Sequence, residues 1–499
     1  MLSVEEIKKF IDDDRNSEKK KLAAIGQKYY EAEHDILQYR LFYYNHEGKL
    51  VEDKTRANIK ISHPFFMILS DQLASFMLSF KENPIKAKKG IEGLQEHLDL
   101  YFDEEFWDEI SELITGTYNK GFEYIYGYKG AENRMVFECA DSMGVVEVQG
   151  KYTSDGKDYK IYHYIDTEMS VKGKVKVTRI QVWDEKEVHY FVQNSKNGKI
   201  EKDTKVEFNP RPHVVYEADE KTGEKSGASL GFIPFWKMDN NKKQFSGLKP
   251  IKGLIDDYDL HACSLSNNLK DFDTPLYAIK GFEGDNFEEL FVNVKTKKMV
   301  GVGENGDVEV KTVEIPYQAR KEKLLLDKEG IFMFGMGFDP TKVGDGNITN
   351  IVILSRYALL ELKANKMQKR LNKLLKQIIK VVLDEINQAN KTEYQLSDIE
   401  PLGNFERSLM TNETENIANE KVKAETKQIE INTILNAAAV IGDEKTLQLI
   451  CEELDIDFEE IKGELEKLKE EQNLIDAKKT LEGVVVDEEI EPVIPEGVE

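Results

Sequence analysis

One run of apolar residues constrains the fold of this chain more than any other feature: Leu360, Ala364, Met367, Leu371, Leu374, Ile378 and Val381, spaced in alternating steps of four and three. Such steps keep side chains on one face of an α-helix, so residues 351 to about 390 read as a single long helix. A seam this narrow suits either a coiled coil or a helix at the centre of a core. The surrounding chain mixes helical and strand patterns, which favours the central core helix. The same stretch is basic, with Lys363, Lys366, Lys369, Arg370, Lys373, Lys376 and Lys380 and no acid among residues 363–380. Such a run is ordinarily a solvated helix face. Its sharper reading is a contact with nucleic acid or with an acidic neighbouring subunit.

The basic run stands out because the 499-residue chain is acidic, with 69 Lys and Arg against 93 Asp and Glu, a net charge of −24. Tight non-specific binding depends on neutralising phosphates, so this balance argues against a protein that coats DNA. It leaves room for one that lets DNA slide past. Residues 482–499 carry acids, no base, and Pro492 and Pro495, a composition expected to be disordered. Cys139, Cys263 and Cys451 lie far apart with no CxxC pair, which excludes a disulfide scaffold or zinc ribbon and points to a reducing compartment. The opening MLSVEEIKKFIDDD lacks the basic start and apolar run of a signal peptide, and no stretch approaches 18 uninterrupted apolar residues. The expectation is a soluble protein made in the cytoplasm, with no membrane contact.

Along the chain, residues 3–44 read as helical, ending in an aromatic cluster from Tyr29 to Tyr44. Residues 64–80 and 103–119 read as helices, the second with Phe106, Ile110, Leu113, Ile114 and Thr117 on one face behind N-terminal acids. From Gly121 to about Val215 the period changes to two. YIYGY, VVEVQGKY, KIYHYID, VTRIQVW and VHYFVQN are separated by turn signals such as Ser154-Asp155-Gly156 and Asn197-Gly198, which predicts an antiparallel sheet or barrel-like module. After the segment 231–250 come a helix over 248–272, short strands over 276–316 and a helix over 317–334. A 16-residue glycine-rich loop, 335–350, then leads into the long helix. That is long for a connection inside a compact domain. Residues 412–475 read as two or three helices joined at Gly442-Asp443 and Asp455-Ile456-Asp457.

The search for catalytic motifs fails. Gly301-Val-Gly-Glu-Asn-Gly306 matches GxGxxG, but an alternating strand follows where the dinucleotide fingerprint needs a helix N-terminus, so the glycines mark a hairpin turn. The segment EKTGEKSG near Gly223 lacks the spacing of a phosphate-binding loop. The eight histidines include no i, i+4 pair and no HExxH, so no zinc site is built from sequence-local ligands. No nucleophile elbow is present. The expectation is no enzyme, no metal and no cofactor.

The ordered set of segments resembles the portal proteins of long-tailed bacteriophages, in the family common among phages of Gram-positive bacteria. The residues that carry the likeness are YYEAEHDILQYR (29–40), NIKISHPFFMILSDQLASF (58–76), GFIPFWKMDNN (231–241), SGLKPIKGLIDDYDLHACSLSNNLKDFDTPLYAIKG (246–281) and GNITNIVILSRYALLELKANK (346–366). One departure falls at the loop junction, where the family commonly has a Ser-Gly-containing turn and this chain has Thr349-Asn350. The resemblance implies an α+β portal fold, mainly helical with a β-rich wing module and a small β clip, assembling into a ring of twelve subunits at one capsid vertex of the virion. Residues 1–246 and 351–403 would form the wing, 247–275 and 317–335 the stem, 276–316 the clip, 336–350 the tunnel loop and 404–475 the crown, with 476–499 an acidic tail. The ring would carry double-stranded DNA during packaging and ejection. Its partners would be the terminase large subunit, a head-completion or adaptor protein, and the scaffolding and major capsid proteins. In the tunnel loop Lys342 would form a belt of positive charge, with Asn347 and Asn350 as neutral phosphate contacts. The stem bases Arg320, Lys321 and Lys323 would face DNA or pair with acids of neighbouring subunits. The clip strands 290–302 and 307–315 would pair between subunits and close their open edges.

Two other readings compete. A different capsid or tail structural protein would use the seam at 360–381 as a coiled coil, giving a dimer or trimer without a pore. A metal-dependent nucleic-acid enzyme would be built on dispersed carboxylates and would lose activity to a chelator.

Overall fold

The structure is a computed structural model. It describes residues 1–45, 47–54, 56–130, 134–170, 173–194, 198–218, 225–271, 276–280, 307–311, 317–342, 350–403, 405, 407, 413–454, 458, 461–463 and 467. The chain divides into two compact units, one of residues 1–346 and 352–409, the other of 347–351 and 410–499.

The first unit opens with two helices, not one. Helix α1 (Val4–Asn16) ends where Ser17 takes an extended conformation and caps α2 (Glu18–Tyr30) by accepting the Lys20 N–H. The expected helix over 3–44 therefore stops at Tyr30. Ala32 is left-handed (φ 60°), and the aromatic cluster enters a small hairpin, β1 (Phe42–Tyr44) against β2 (Leu50–Glu52). Aromatic side chains fit a pleated strand better than a helix, and that preference prevails here. Helices α3 (Phe65–Met77), α4 (Leu94–Tyr101) and α5 (Glu104–Lys120) follow. Asp103 caps α5 by accepting the Phe106 N–H at 3.0 Å, and Gly121, left-handed at φ 91°, ends it.

Among the described residues the period-two region forms two open antiparallel sheets and no barrel. One has three strands, with β3 (Phe122–Lys129) between β4 (Met135–Ala140) and the later β13 (Phe235–Asp239). The other has six: β5 (Val145–Val148), β6 (Tyr159–Ser170), β7 (Gly173–Trp183) and β8 (Glu187–Gln193) in succession, with β9 (Ile200–Lys202) and β10 (Arg211–Pro212) both pairing with β8. A separate hairpin joins β11 (Val214–Ala218) to β12 (Lys225–Ala228). Ile7 and Ile11 of α1 pack on the six-stranded sheet at Ile161, Ile180, Val182 and Phe191. Phe122, Tyr124, Trp183 and Phe235 fill the space between the two sheets.

Helix α6 (Lys252–Asp271) precedes a two-stranded ladder, β14 (Leu276–Lys280) with β15 (Asp307–Lys311). Strand 307–311 thus finds a partner within its own chain, while 290–302 and the glycines 301–306 lie outside the described residues. Helix α7 (Tyr317–Phe334) and then α8 (Asn350–Asn390) complete the unit. The seam of α8 is wider than its sequence spacing suggests. Leu360, Ala364, Met367, Leu371, Leu374 and Ile378 are buried, but so are Leu375, Ile379, Val382, Leu383 and Ile386, while Val381 is only half-buried. This broad stripe belongs, with Phe66, Leu69 and Leu73 of α3 and Ile110 and Leu113 of α5, to the largest core of the described residues. It is therefore consumed as a central core helix and is not free to form a coiled coil.

The second unit contains α9 (Glu413–Ile441) and α10 (Asp443–Leu454), separated at Gly442 with φ 83°. The expected junction at 455–457 and the acidic tail lie outside the described residues.

Candidate nucleic-acid interface

Helices α6 and α7 pack as a pair joined by polar contacts. Lys323 Nζ of α7 bridges Asp257 of α6 and Asp327 one turn along its own helix. Arg320 Nη1 donates to Ser264 Oγ at 3.3 Å. Two of the three bases singled out in this helix are therefore engaged by groups of their own chain. Lys321 is exposed and has no ion-pair partner among the described residues. The pair also leaves large apolar side chains uncovered: Leu269 on α6, and Leu325, Leu326, Met333 and Phe334 on α7, with Leu326 65% and Met333 63% exposed.

An extended segment, 57–63, runs along α6 and is fastened to it by side chains. The N–H groups of Ala57, Ile59, Ile61 and His63 donate in turn to Asp271 Oδ1 (2.9 Å), Asn267 Oδ1 (2.5 Å), Cys263 Sγ (3.2 Å) and Asp259 Oδ1 (3.0 Å). The match is geometric. Two residues of strand advance roughly 6.6 Å and four of helix about 6.0 Å, so alternate N–H groups meet acceptors spaced i, i+4. At the far end Asp259 is fully buried and also accepts from His34 Nδ1 (2.6 Å) and His63 Nδ1 (2.7 Å). Although burial disfavours its charge, the bonds from His34 and His63 hold the Asp259 carboxyl below the usual carboxylate range.

The first half of the glycine-rich loop is clamped. Gln72 of α3 pairs with Phe338 in both directions, Nε2 donating to its carbonyl at 2.7 Å and Oε1 accepting its N–H at 3.1 Å. The Phe338 ring stacks on Tyr357 of α8 with centroids 4.6 Å apart. Asp339 accepts from the Thr341 N–H and hydroxyl, and Lys328 of α7 donates to Thr341 Oγ1 at 2.6 Å. A Cβ on Gly337 would sit 2.0 Å from Leu69 Cδ2, so any larger residue here must displace that buried side chain. Lys342 ends a short 3₁₀ turn, Pro340–Lys342. Asn350 is the first residue of α8, and Asn347 lies outside the described residues.

The basic run of α8 separates into two kinds of residue. Lys363 turns inward: its Nζ donates to the Gly335 carbonyl at 2.9 Å and lies 4.6 Å from the Tyr118 ring centroid, and burial pushes its ammonium down to about 7. Lys366, Lys369, Lys373, Lys376 and Lys380 are exposed, with no ion-pair partner among the described residues. Sequence spacing carried no signal for this difference.

Among the described residues, one group brings three potential metal-ligand atoms within 4.8 Å of one another: Asp184, Glu187 and His189. Asp184 Oδ1 there accepts the Lys186 and Glu187 N–H groups (2.7 and 2.8 Å), which accounts for its inward carboxylate as the cap of the β7–β8 turn. No helix of the described residues is long and apolar enough to cross a membrane.

The long helix is thus buried in its own core, and the α6–α7 pair keeps large apolar side chains exposed. Comparison with known proteins gives the family. The chain belongs to the phage portal proteins of the SPP1 Gp6-like family, whose family model matches residues 8–476. It is 25% identical to the portal protein of Bacillus phage SPP1 over 397 residues, 78% of this chain and 75% of that one. It is 22% identical to the portal protein of Clostridium phage phiCD119 over 411 residues, 76% of this chain and 84% of that one. Among solved structures, a chain from the neck of a native GTA particle computed with C12 symmetry aligns at 12% identity over 78% of this chain and 89% of its own, with a TM-score of 0.32, too loose to bear on the fold. The family is structural, and phage portal proteins are virion components.

Proposed function

We propose that this chain is the subunit of a twelve-membered ring at one capsid vertex, through whose channel double-stranded DNA enters during packaging and leaves at ejection. The observation that carries the proposal is the uncovered apolar surface of the α6–α7 pair, at Leu325, Leu326, Met333 and Phe334. Large apolar side chains clustered on adjacent helices are costly in water and are covered when copies pack side by side. In this reading α6 and α7 are the stem, β14 and β15 part of the clip, and the loop 336–350 the tunnel loop, with Lys342 its basic belt. Residues 1–246 and 351–403 are the wing. The second compact unit, which takes over at residue 410, supports a separate crown from about 404. The clip is the docking platform for the terminase motor and then for head-completion proteins. Lys323 and Arg320, already held by α6, stabilise the stem, and Lys321 is left to face DNA or a neighbouring subunit.

The net charge of −24 suits such a channel, because each lysine–phosphate contact that releases counterions adds a barrier to sliding. The test is a packaging reaction with capsids assembled with or without the chain, supplied with motor, ATP and DNA. Nuclease-protected DNA only in capsids that contain the chain is the expected result. Equal protection without it contradicts the proposal.

A further inference from the structure

A cavity of about 340 Å³ lies between α2, α5 and the end of β4. Its wall carries Glu31, Glu109 and Glu112, and its interior reaches Asn119 and the Lys120–Glu123 pair. Lys120 is already taken, since its Nζ contacts both Glu123 and Asp141. Glu31, Glu109 and Glu112 have no cationic partner among the described residues. Burial, and crowding by Glu138, Glu112 and Asp108, push the Glu109 carboxyl above its usual range, although it accepts the Cys139 N–H at 2.6 Å. Asn119 is 4% exposed and its Oδ1 has no hydrogen-bond partner. Carboxylates without a cationic partner and an unpartnered buried amide oxygen in one cavity together offer acceptors that suit a cation.

The geometry also selects the kind of cation. No three carboxylate or thiol atoms of this cavity lie within 4.8 Å of one another, so the acids do not converge as a metal's ligands would. A volume of this size, against about 30 Å³ for one water, suits a group with several donors spread in space.

We propose that the cavity binds one organic cation, an ammonium or guanidinium group, between Glu109 and Glu112, with Asn119 as a neutral contact at its inner end. Two sources present that chemistry: a lysine or arginine of a neighbouring copy, or a free polyamine. The first rests on the ring proposed above and the second does not.

Agmatine, which carries both an ammonium and a guanidinium, is the probe. It is titrated calorimetrically into the full-length chain and into the Glu109→Gln/Glu112→Gln variant, with magnesium as a parallel titrant and assembled and unassembled fractions measured separately. Gln keeps an acceptor for the Cys139 N–H, and the single Glu112→Gln change at an exposed site is the fallback if the double variant does not fold. The expected result is saturable agmatine binding to the unassembled chain, weakened about tenfold or more by the substitutions. Binding that persists in assembled material identifies a free cation. Absent binding there, with the double variant melting lower than the parent only when assembled, identifies a neighbour's side chain. Three results overturn the proposal: agmatine binding equal in parent and variant, magnesium binding in its place, or no agmatine binding with the variant melting higher in every fraction, which would mark a crowded cavity that recognises nothing.

Discussion

Replacing Asp259 with alanine is the sharpest test of how α6 is fixed to the rest of the first unit. Its side chain accepts three hydrogen bonds, from His34 Nδ1, His63 Nδ1 and the His63 N–H, and the His34 and Asp259 side chains are 0% and 1% exposed. Water does not reach the His34 donor left behind, whereas the His63 side chain is 30% exposed, so Asp259→Ala costs about 3 kcal/mol, the low end of the range for breaking a buried charged pair by removing one partner. Asn267→Ala, two turns along the same helix face, removes the acceptor of one N–H, that of Ile59, and costs about 1 kcal/mol. Urea unfolding of both variants at pH 7, followed by circular dichroism, reads the contrast. The carboxyl of Asp259 is held below its unfolded range, so its contribution is fully present above roughly pH 4 and fades as pH falls through the lower folded value. Equal losses in the two variants, or a loss below about 1 kcal/mol for Asp259→Ala, would refute the claim that this buried carboxylate anchors the segment.

Three further perturbations test other joints. Lys363 is pushed down to about 7, below its unfolded value of about 10.4, so between those values the unfolded chain holds the extra proton and stability rises with pH. Relative to Lys363→Met, the parent gains up to about 1.4 kcal/mol per pH unit from pH 7 to 10, and a pH-independent difference contradicts the burial. Gly337→Ala forces a Cβ into Leu69 and lowers stability by about 1–3 kcal/mol, read as a drop in melting temperature; an unchanged melt means the loop is not packed on α3. Lys323→Ala leaves the buried Asp327 carboxylate without its partner and costs about 1–3 kcal/mol, whereas Lys321→Ala stays within about 0.5 kcal/mol, so equal effects from the two contradict the placement of these bases.

Much of this architecture is legible in the sequence because it is written in periodicity. Helices α3, α5 and α8 fall where apolar residues recur every three to four positions, and the strands β3 and β5–β8 where they alternate. What escaped is polar. The segment 57–63 is held by Asp259, Cys263, Asn267 and Asp271, whose four-residue spacing on one helix face has no hydrophobic signature. Lys363 looks like its basic neighbours, since no local pattern tells which lysine meets the carbonyl of a glycine 28 residues away. A helix over 3–44 is suggested by the Lys, Glu and Ala of its first half, whereas the structure breaks it at Ser17, ends it at Tyr30 and turns Phe42–Tyr44 into a strand. The acidic cavity could not be read either, because Glu31, Glu109 and Glu112 meet only when α2 packs on α5. In each case a tertiary contact decides the outcome.

The central claim is that copies of this chain close into a ring around a channel. Native mass spectrometry of the purified protein, together with negative-stain images of the same sample, tests it most directly. Twelve copies of a 57.4 kDa chain give a particle of roughly 690 kDa with a hole seen end-on, and that is the result expected. A stable dimer or trimer with no central hole would contradict the account.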